Sequence, residues 1–272
     1  MRSFVRERKL HAGNYVEVDI FTRTATQEDT NKRSRRRKHK ISRPAQNNLN
    51  EKNSKRYARL LLHANFTDDD YFLTLTYSNK HLPSTPEKGK KDVDRFLRSL
   101  RGKYKKADLE LKYMLFTSYQ LDSETGYVKR IHHHLVVNKG ISRDEVEACW
   151  GIGRGKRKEK LGRTEAKLIQ SDEDGIQALA NYLTNQEKWV NRQWKRGEKR
   201  WSSSKNLVKP YETRNDHKFS KKKLEKMGKA ADLAEEELLK LYPEFRIVGD
   251  VRARYYEENG WHIHAEMLRN SE

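Results

Sequence analysis

The chain has 272 residues, with 59 Lys and Arg against 39 Asp and Glu, a formal net charge of +20. A lone cysteine, Cys149, excludes an internal disulfide and any Cys-rich zinc module, and no segment approaches the ~20 consecutive apolar residues that span a bilayer. Twenty excess positive charges call for a polyanionic partner: nucleic acid first, an anionic membrane surface second, with a merely basic structural protein as the plain alternative.

The first residues, MRSFVRERKLHAG, lack an apolar stretch of signal-peptide length. Asn14–Thr24 alternates apolar and polar residues and predicts a strand. Residues 31–40, NKRSRRRKHK, form a solvated basic arm. Pro44 opens a helix with Leu49, Tyr57, Leu60, Leu61 and Ala64 near one face. The run YFLTLTY, residues 71–77, predicts a strand. Ser84-Thr85-Pro86 then starts a helix whose Val93, Phe96, Leu97, Leu100 and Tyr104 share one stripe. Two strands follow, Leu111–Gln120 and Arg130–Asn138, joined by the turn-forming Asp122-Ser123-Glu124-Thr125-Gly126.

Ser142 with Glu145 makes a capping box for a short helix reaching Trp150. Residues 151–162 are a Gly/Lys/Arg loop, and Thr164–Gln170 predicts a short strand. A helix spans Asp172–Trp189, residues 195–218 are polar and turn-rich, and a charged helix spans Lys221–Leu241. The segment Phe245–Met267 predicts a hairpin turned at Asn259-Gly260. Strands and helices in this order predict an α+β fold, a central antiparallel sheet flanked by helices. The expected division is residues 1–43 as strand and basic arm, 44–218 as the domain that carries the chemistry, and 219–272 as a helix and hairpin packing on that same domain.

The residues richest in chemistry are His132, His133 and His134. On a strand His132 and His134 face the same way with Cβ atoms ~7 Å apart, a spacing that suits two ligands of one ion. Leu135, Val136 and Val137 make the strand buried, where a charged imidazole is costly and a metal would account for neutral ones. Solvent-edge histidines or a phosphate-binding patch remain the alternatives. His262 and His264 repeat the spacing near the end of the chain and read as structural or DNA-facing. Tyr182 lies off the apolar stripe of Ile176, Leu179 and Leu183. A phenol, with its ordinary pKa of ~10, needs a metal-bound phosphate or a base to act as a nucleophile.

Three motifs in order, Phe72-Leu73-Thr74-Leu75-Thr76-Tyr77, Arg130-Ile131-His132-His133-His134-Leu135-Val136 and Leu179-Ala180-Asn181-Tyr182-Leu183-Thr184-Asn185, resemble rolling-circle replication initiators of the HUH endonuclease superfamily. The likeness is to those of small bacterial single-stranded DNA phages, plasmids and integrative elements. The resemblance implies that His132 and His134 hold Mg²⁺ or Mn²⁺ and that Tyr182 attacks a DNA phosphate, leaving a 5′-phosphotyrosine and a free 3′-hydroxyl. It further implies the cytoplasm of a bacterial host, a single-stranded or hairpin origin, a host helicase and polymerase as partners, and no membrane. Relatives often carry a carboxylate on the strand before the histidines. Here Ser118 takes that place, and Gln120, in the same strand phase, is the candidate third ligand. Where relatives place Lys three residues after the tyrosine, this chain has Asn185; Lys188 lies further round the helix. Arg35, Arg36, Arg37, Lys38, Arg154, Lys156, Arg157 and Lys188 are candidate phosphate contacts, and Trp189, Trp194 and Trp201 stack bases or cover a small core. The nearest alternatives are an HUH transposase or relaxase of a mobile element, and a non-catalytic basic DNA-binding protein. A zinc hydrolase lacks the ligand set it would need.

Overall fold

Alternation of apolar residues builds two antiparallel five-stranded sheets, each with its own apolar cluster. The computed structural model describes residues 3–32, 44–153, 155–184, 199 and 201–270. In chain order the elements are β1 (Ser3–Ala12), β2 (Tyr15–Thr24), α1 (Ala25–Lys32), α2 (Pro44–Asn65), β3 (Tyr71–Leu75), α3 (Pro86–Lys106), β4 (Tyr113–Leu121) and β5 (Val128–Val137). There follow α4 (Arg143–Glu147), a short ribbon of β6 (Gly151–Ile152) and β7 (Glu159–Lys160), β8 (Thr164–Leu168), α5 (Gln177–Thr184), β9 (Trp201–Ser203) and β10 (Tyr211–Asn215). The last are α6 (Lys221–Lys229), α7 (Ala231–Leu241), β11 (Phe245–Tyr256) and β12 (Gly260–Arg269). Two compact units result: a central one, residues 54–208, and a terminal one, residues 1–53 with 209–272. No described helix is long and apolar enough to cross a membrane.

The central unit is built on the sheet β8-β3-β5-β4-β9. β5 is its middle strand, paired with β3 and β4. Alternation sends Leu135 and Val137 into a cluster with Val93, Phe96, Leu97, Leu100 and Tyr104 of α3 and with Trp150. It sends Val136 to the opposite cluster, with Ala58, Leu61 and Leu62 of α2 and Ile176, Ala180 and Leu183. The α3 stripe follows its sequence spacing, with Thr85 as N-cap and Pro86 in the first turn. In α2 the buried residues are Ala58, Leu60, Leu61 and Leu62, whereas Leu49 is exposed. The Ser142–Glu145 capping box forms as its spacing implies, although α4 ends at Glu147.

In the terminal unit the sheet order is β10-β1-β2-β12-β11. Pairing of β2 with β12 joins segments that the sequence division kept apart. One face packs Val18, Ile20, Ile263 and Ala265 against Leu224, Met227, Ala234 and Leu238. The charged segment Lys221–Leu241 is two helices, not the single one expected: Ala230 is extended at φ −140°, ψ 108°. The break lets both short helices turn their apolar residues into the same cluster. β1, β9 and β10 escaped the alternation test, since β1 is rich in charge and the other two are short polar edge strands. α5 starts at Gln177, later than Asp172, after a tight turn in which Asp172 and Gly175 bridge.

Two glycines separate packing from propensity. A Cβ on Gly162 would lie 2.3 Å from the carbonyl oxygen of Thr76 and 2.6 Å from Tyr77 Cα, backbone that holds the end of β3, whereas one on Gly102 in α3 meets nothing within 4 Å. Gly162→Ala is expected to lower stability by about 1–3 kcal/mol and Gly102→Ala to raise it by about 0.5–1 kcal/mol, both measured by urea unfolding of the whole chain.

Candidate active site

Strand geometry explains the three histidines. His132 and His134 face α5, and their ring centroids are 4.9 Å apart. His133 points to the other face and is fully buried. Its Nδ1 lies 2.9 Å from Thr117 Oγ1 and its Nε2 3.2 Å from the Tyr77 hydroxyl. The Tyr77 hydroxyl donates to the Gly89 carbonyl at 3.3 Å. His133 Nε2–H therefore donates to Tyr77, and Nδ1 accepts from Thr117. Burial, then the neighbouring His132 and His134, pushes His133 down to about 3, so it is a neutral core residue.

His134 is 4 % exposed. Its Nδ1 lies 3.2 Å from Thr74 Oγ1 and its Nε2 3.4 Å from the Tyr182 hydroxyl. Burial, followed by His132, pushes it down to about 4. The Nδ1–H tautomer, donating to Thr74, leaves the Nε2 lone pair for the phenol or for a cation. The 3.4 Å spacing is long for a hydrogen bond and marks a loose contact. Phe72 stacks on His134 at 5.4 Å and meets Tyr182 edge-on at 6.3 Å. Tyr182 is 53 % exposed, so its phenol touches the buried imidazole and still reaches solvent.

The helix that carries Tyr182 is anchored beneath it. Ala180 and Leu183 are buried in the core, His63 of α2 meets Gln177 Oε1 at 2.8 Å, and Arg59 donates to Asn181 Oδ1 at 3.4 Å. On β4, Ser118 pairs with His132 across the ladder, and Gln120, one pair further out beside Arg130, is exposed. Ser118 is 3 % exposed and its Oγ has no hydrogen-bond partner. Two neutral imidazoles with an unsatisfied hydroxyl between strands are donors that fit a small divalent ion. Among the described residues no group of three or more His, Cys, Asp or Glu is arranged to hold a metal.

Residues 70–209, just over half of the chain and spanning β3, β5 and α5, match the family model of the replication-associated protein ORF2. The chain belongs to that family. No curated protein and no solved structure matches it.

The other expected contacts of this replication-associated protein divide by position. Arg157 is exposed on the 151–162 loop. Arg35, Arg36, Arg37, Lys38, Arg154, Lys188, Asn185, Trp189 and Trp194, and the Lys156 side chain, lie outside the described residues. Trp201 packs on the α2–α5 cluster and donates to Ser54 Oγ at 3.1 Å. Sequence spacing marks no individual role for Thr74, Phe72, Thr117 or Tyr77. Thr74 and Phe72 stand in one strand phase, and the pairing of Thr74 with His134 turns that phase onto the histidine face.

The second H-x-H has a different setting. His264 Nδ1 lies 2.7 Å and His262 Nε2 3.2 Å from the same oxygen of buried Asp19, and His264 Nε2 lies 3.5 Å from Glu266. Burial opposes protonation of His264, but its hydrogen bonds to Asp19 and Glu266 outweigh it and raise the imidazole above 6.5. This pair is a charged crosslink in a sheet.

Replacing the middle histidine of β5 tests its core role. His133→Ala strands the Thr117 and Tyr77 hydroxyls and is expected to cost about 2–5 kcal/mol, against less than about 1 kcal/mol for half-exposed His132→Ala, by urea unfolding. The charged crosslink predicts a pH effect. The contribution of His264 is complete below its unfolded value of 6.5 and is lost as pH rises through the higher folded value. His264→Gln should therefore unfold at a midpoint that falls less than the wild type's between about pH 6 and pH 8.

Proposed function

We propose that the protein is a rolling-circle replication initiator of the HUH class, which nicks and rejoins single-stranded DNA through Tyr182. One observation carries this reading: the Tyr182 hydroxyl, 3.4 Å from His134 Nε2, in one cluster with His132. The family match supports a role in replication, and the net charge of +20 supports a nucleic-acid substrate.

The proposed chemistry is a transesterification. Tyr182 Oη attacks the scissile phosphorus, a P–Oη bond forms, and the P–O3′ bond breaks. The 5′-phosphate stays on Tyr182, and the 3′ oxygen takes a proton from water and serves as a primer end. The phenol hydrogen leaves toward His134 Nε2, the acceptor that it faces. Thr74 holds that imidazole in the tautomer that accepts, and Phe72 limits the swing of both rings. Because one ester replaces another, the bond energy is conserved and rejoining runs without ATP. No G-x-x-x-x-G-K-[ST] loop occurs in the chain, so unwinding and synthesis fall to a host helicase and polymerase.

His132 and His134 would hold the divalent ion, with Ser118 Oγ and the Gln120 carbonyl as oxygen donors on the adjacent strand. Imidazole ligands without a carboxylate favour Mn²⁺ over Mg²⁺. When bound, such an ion supplies Lewis-acid polarisation of a phosphoryl oxygen and aligns the scissile group.

Purified protein mixed with Mn²⁺ and single strands from its own replicon should form a covalent protein–DNA adduct on a denaturing gel. Tyr182→Phe should form none. His134→Ala should slow cleavage by about 100-fold or more with strand affinity unchanged within about twofold. An adduct that persists in Tyr182→Phe would dismiss the nucleophile.

A further inference from the structure

The nicking reading leaves unused a cavity of about 350 Å³ in the terminal unit, a size within the range of small-ligand sites. It lies by the Asn259-Gly260 turn, where β2 and β12 pair. Three rings line it, Phe21, Tyr256 and His262, together with Arg8, Arg23 and Asn259. Strand pairing assembles them from distant segments. Phe21 sits opposite His262, and Tyr256 sits opposite Gly260, which has no side chain to cover its ring. The Phe21 and His262 centroids are 5.5 Å apart and edge-on, and those of Tyr256 and His262 are 6.4 Å apart. Tyr256 is 47 % exposed, so its ring is accessible from solvent.

The charges decide what the cavity accepts. Arg8 is paired with buried Asp19 at 2.6 Å, and Arg23 with Glu28 at 3.0 Å. Their charge is already offset, which makes the cavity a poor seat for a lone phosphate. The same pairs hold the guanidinium planes in place, that of Arg8 at 5.8 Å over the Phe21 ring. Gln27 donates to Asn259 Oδ1 at 3.1 Å and so fixes an amide edge at the rim. A site with fixed aromatic faces, planar cations already neutralised and an amide edge suits a flat, uncharged, hydrogen-bonding heterocycle. An unpaired nucleobase has those properties: a face that stacks and an edge that bonds. Arg254, exposed and paired with His262 on the ladder, stands where the phosphates of such a strand would run.

We propose that this cavity takes one unpaired base of single-stranded DNA and that the terminal unit therefore contacts the strand separately from the tyrosine–histidine cluster. The proposal concerns binding alone, so it stands whether or not Tyr182 is a nucleophile.

The test uses the whole chain in EDTA, which removes metal-dependent cleavage. Anisotropy compares a fluorescent mixed-sequence strand of about 20 nucleotides, long enough to span a single-strand groove, with an abasic strand of equal length and charge. The wild type should prefer the strand that carries bases. Tyr256→Ala should weaken that strand by about fivefold or more and leave the abasic strand unchanged, and Tyr256→Trp should restore the preference. Tyr255→Ala is the control: its ring lies on the opposite strand face against Trp261, 5.4 Å away, and its loss should change neither affinity. A thermal melt checks that the exposed substitutions leave the fold intact. The proposal is overturned if the wild type shows no preference for bases, if Tyr256→Ala weakens both strands alike, or if Tyr255→Ala matches it. It is equally overturned if free deoxynucleoside monophosphates compete as well as the strand, which would make this a nucleotide pocket.

Discussion

A buried middle strand leaves its side chains two destinations, and β5 is such a strand. Residues 133–137 are all buried, with β3 on one edge and β4 on the other. Adjacent residues must go to opposite faces, and an imidazole in either place is denied its charge and must find hydrogen-bond partners as a neutral ring. His133 finds both of its partners in the core, Thr117 and Tyr77, and is spent there. His134 finds one partner, Thr74, and its other nitrogen faces a helix. The chemistry proposed for the central unit depends on that unequal satisfaction of neighbouring rings.

The helix on that face gives the phenol its second property. α5 is pinned by Ala180 and Leu183 in the core and by polar contacts from Arg59 and His63 of α2. One residue off this buried stripe, Tyr182 sits at the rim, half in solvent. A nucleophile for a polymeric substrate needs both conditions, a rigid support and an open side. Phe72, touching both rings from β3, couples the position of the tyrosine to that of the histidine.

Two copies of one pattern, H-x-H on a strand, end in opposite electrostatic states. His134, among hydroxyls and rings and beside another imidazole, is held neutral. His264, between Asp19 and Glu266, is held in favour of its charged form. The strand spacing is identical. What differs is the neighbour delivered by the adjoining strand, a threonine from β3 in one case and a buried aspartate from β2 in the other.

Spacing along the chain was enough to put His132 and His134 on one face, to lay out the apolar stripe of α3, to cap α4 at Ser142 and to turn the last hairpin at Asn259-Gly260, because each of these follows from backbone geometry within a few residues. It was not enough to reveal β1 or β10 as strands, the break at Ala230, the threonine behind His134 or the ring cavity beside Tyr256. Those depend on which segments meet, and the partners are far apart in the chain: 60 residues separate Thr74 from His134, and 245 separate Asp19 from His264. Local periodicity dictates the direction of a side chain, while only the pairing of remote strands dictates what it meets there, and for a buried histidine that meeting decides between a neutral acceptor and a fixed positive charge.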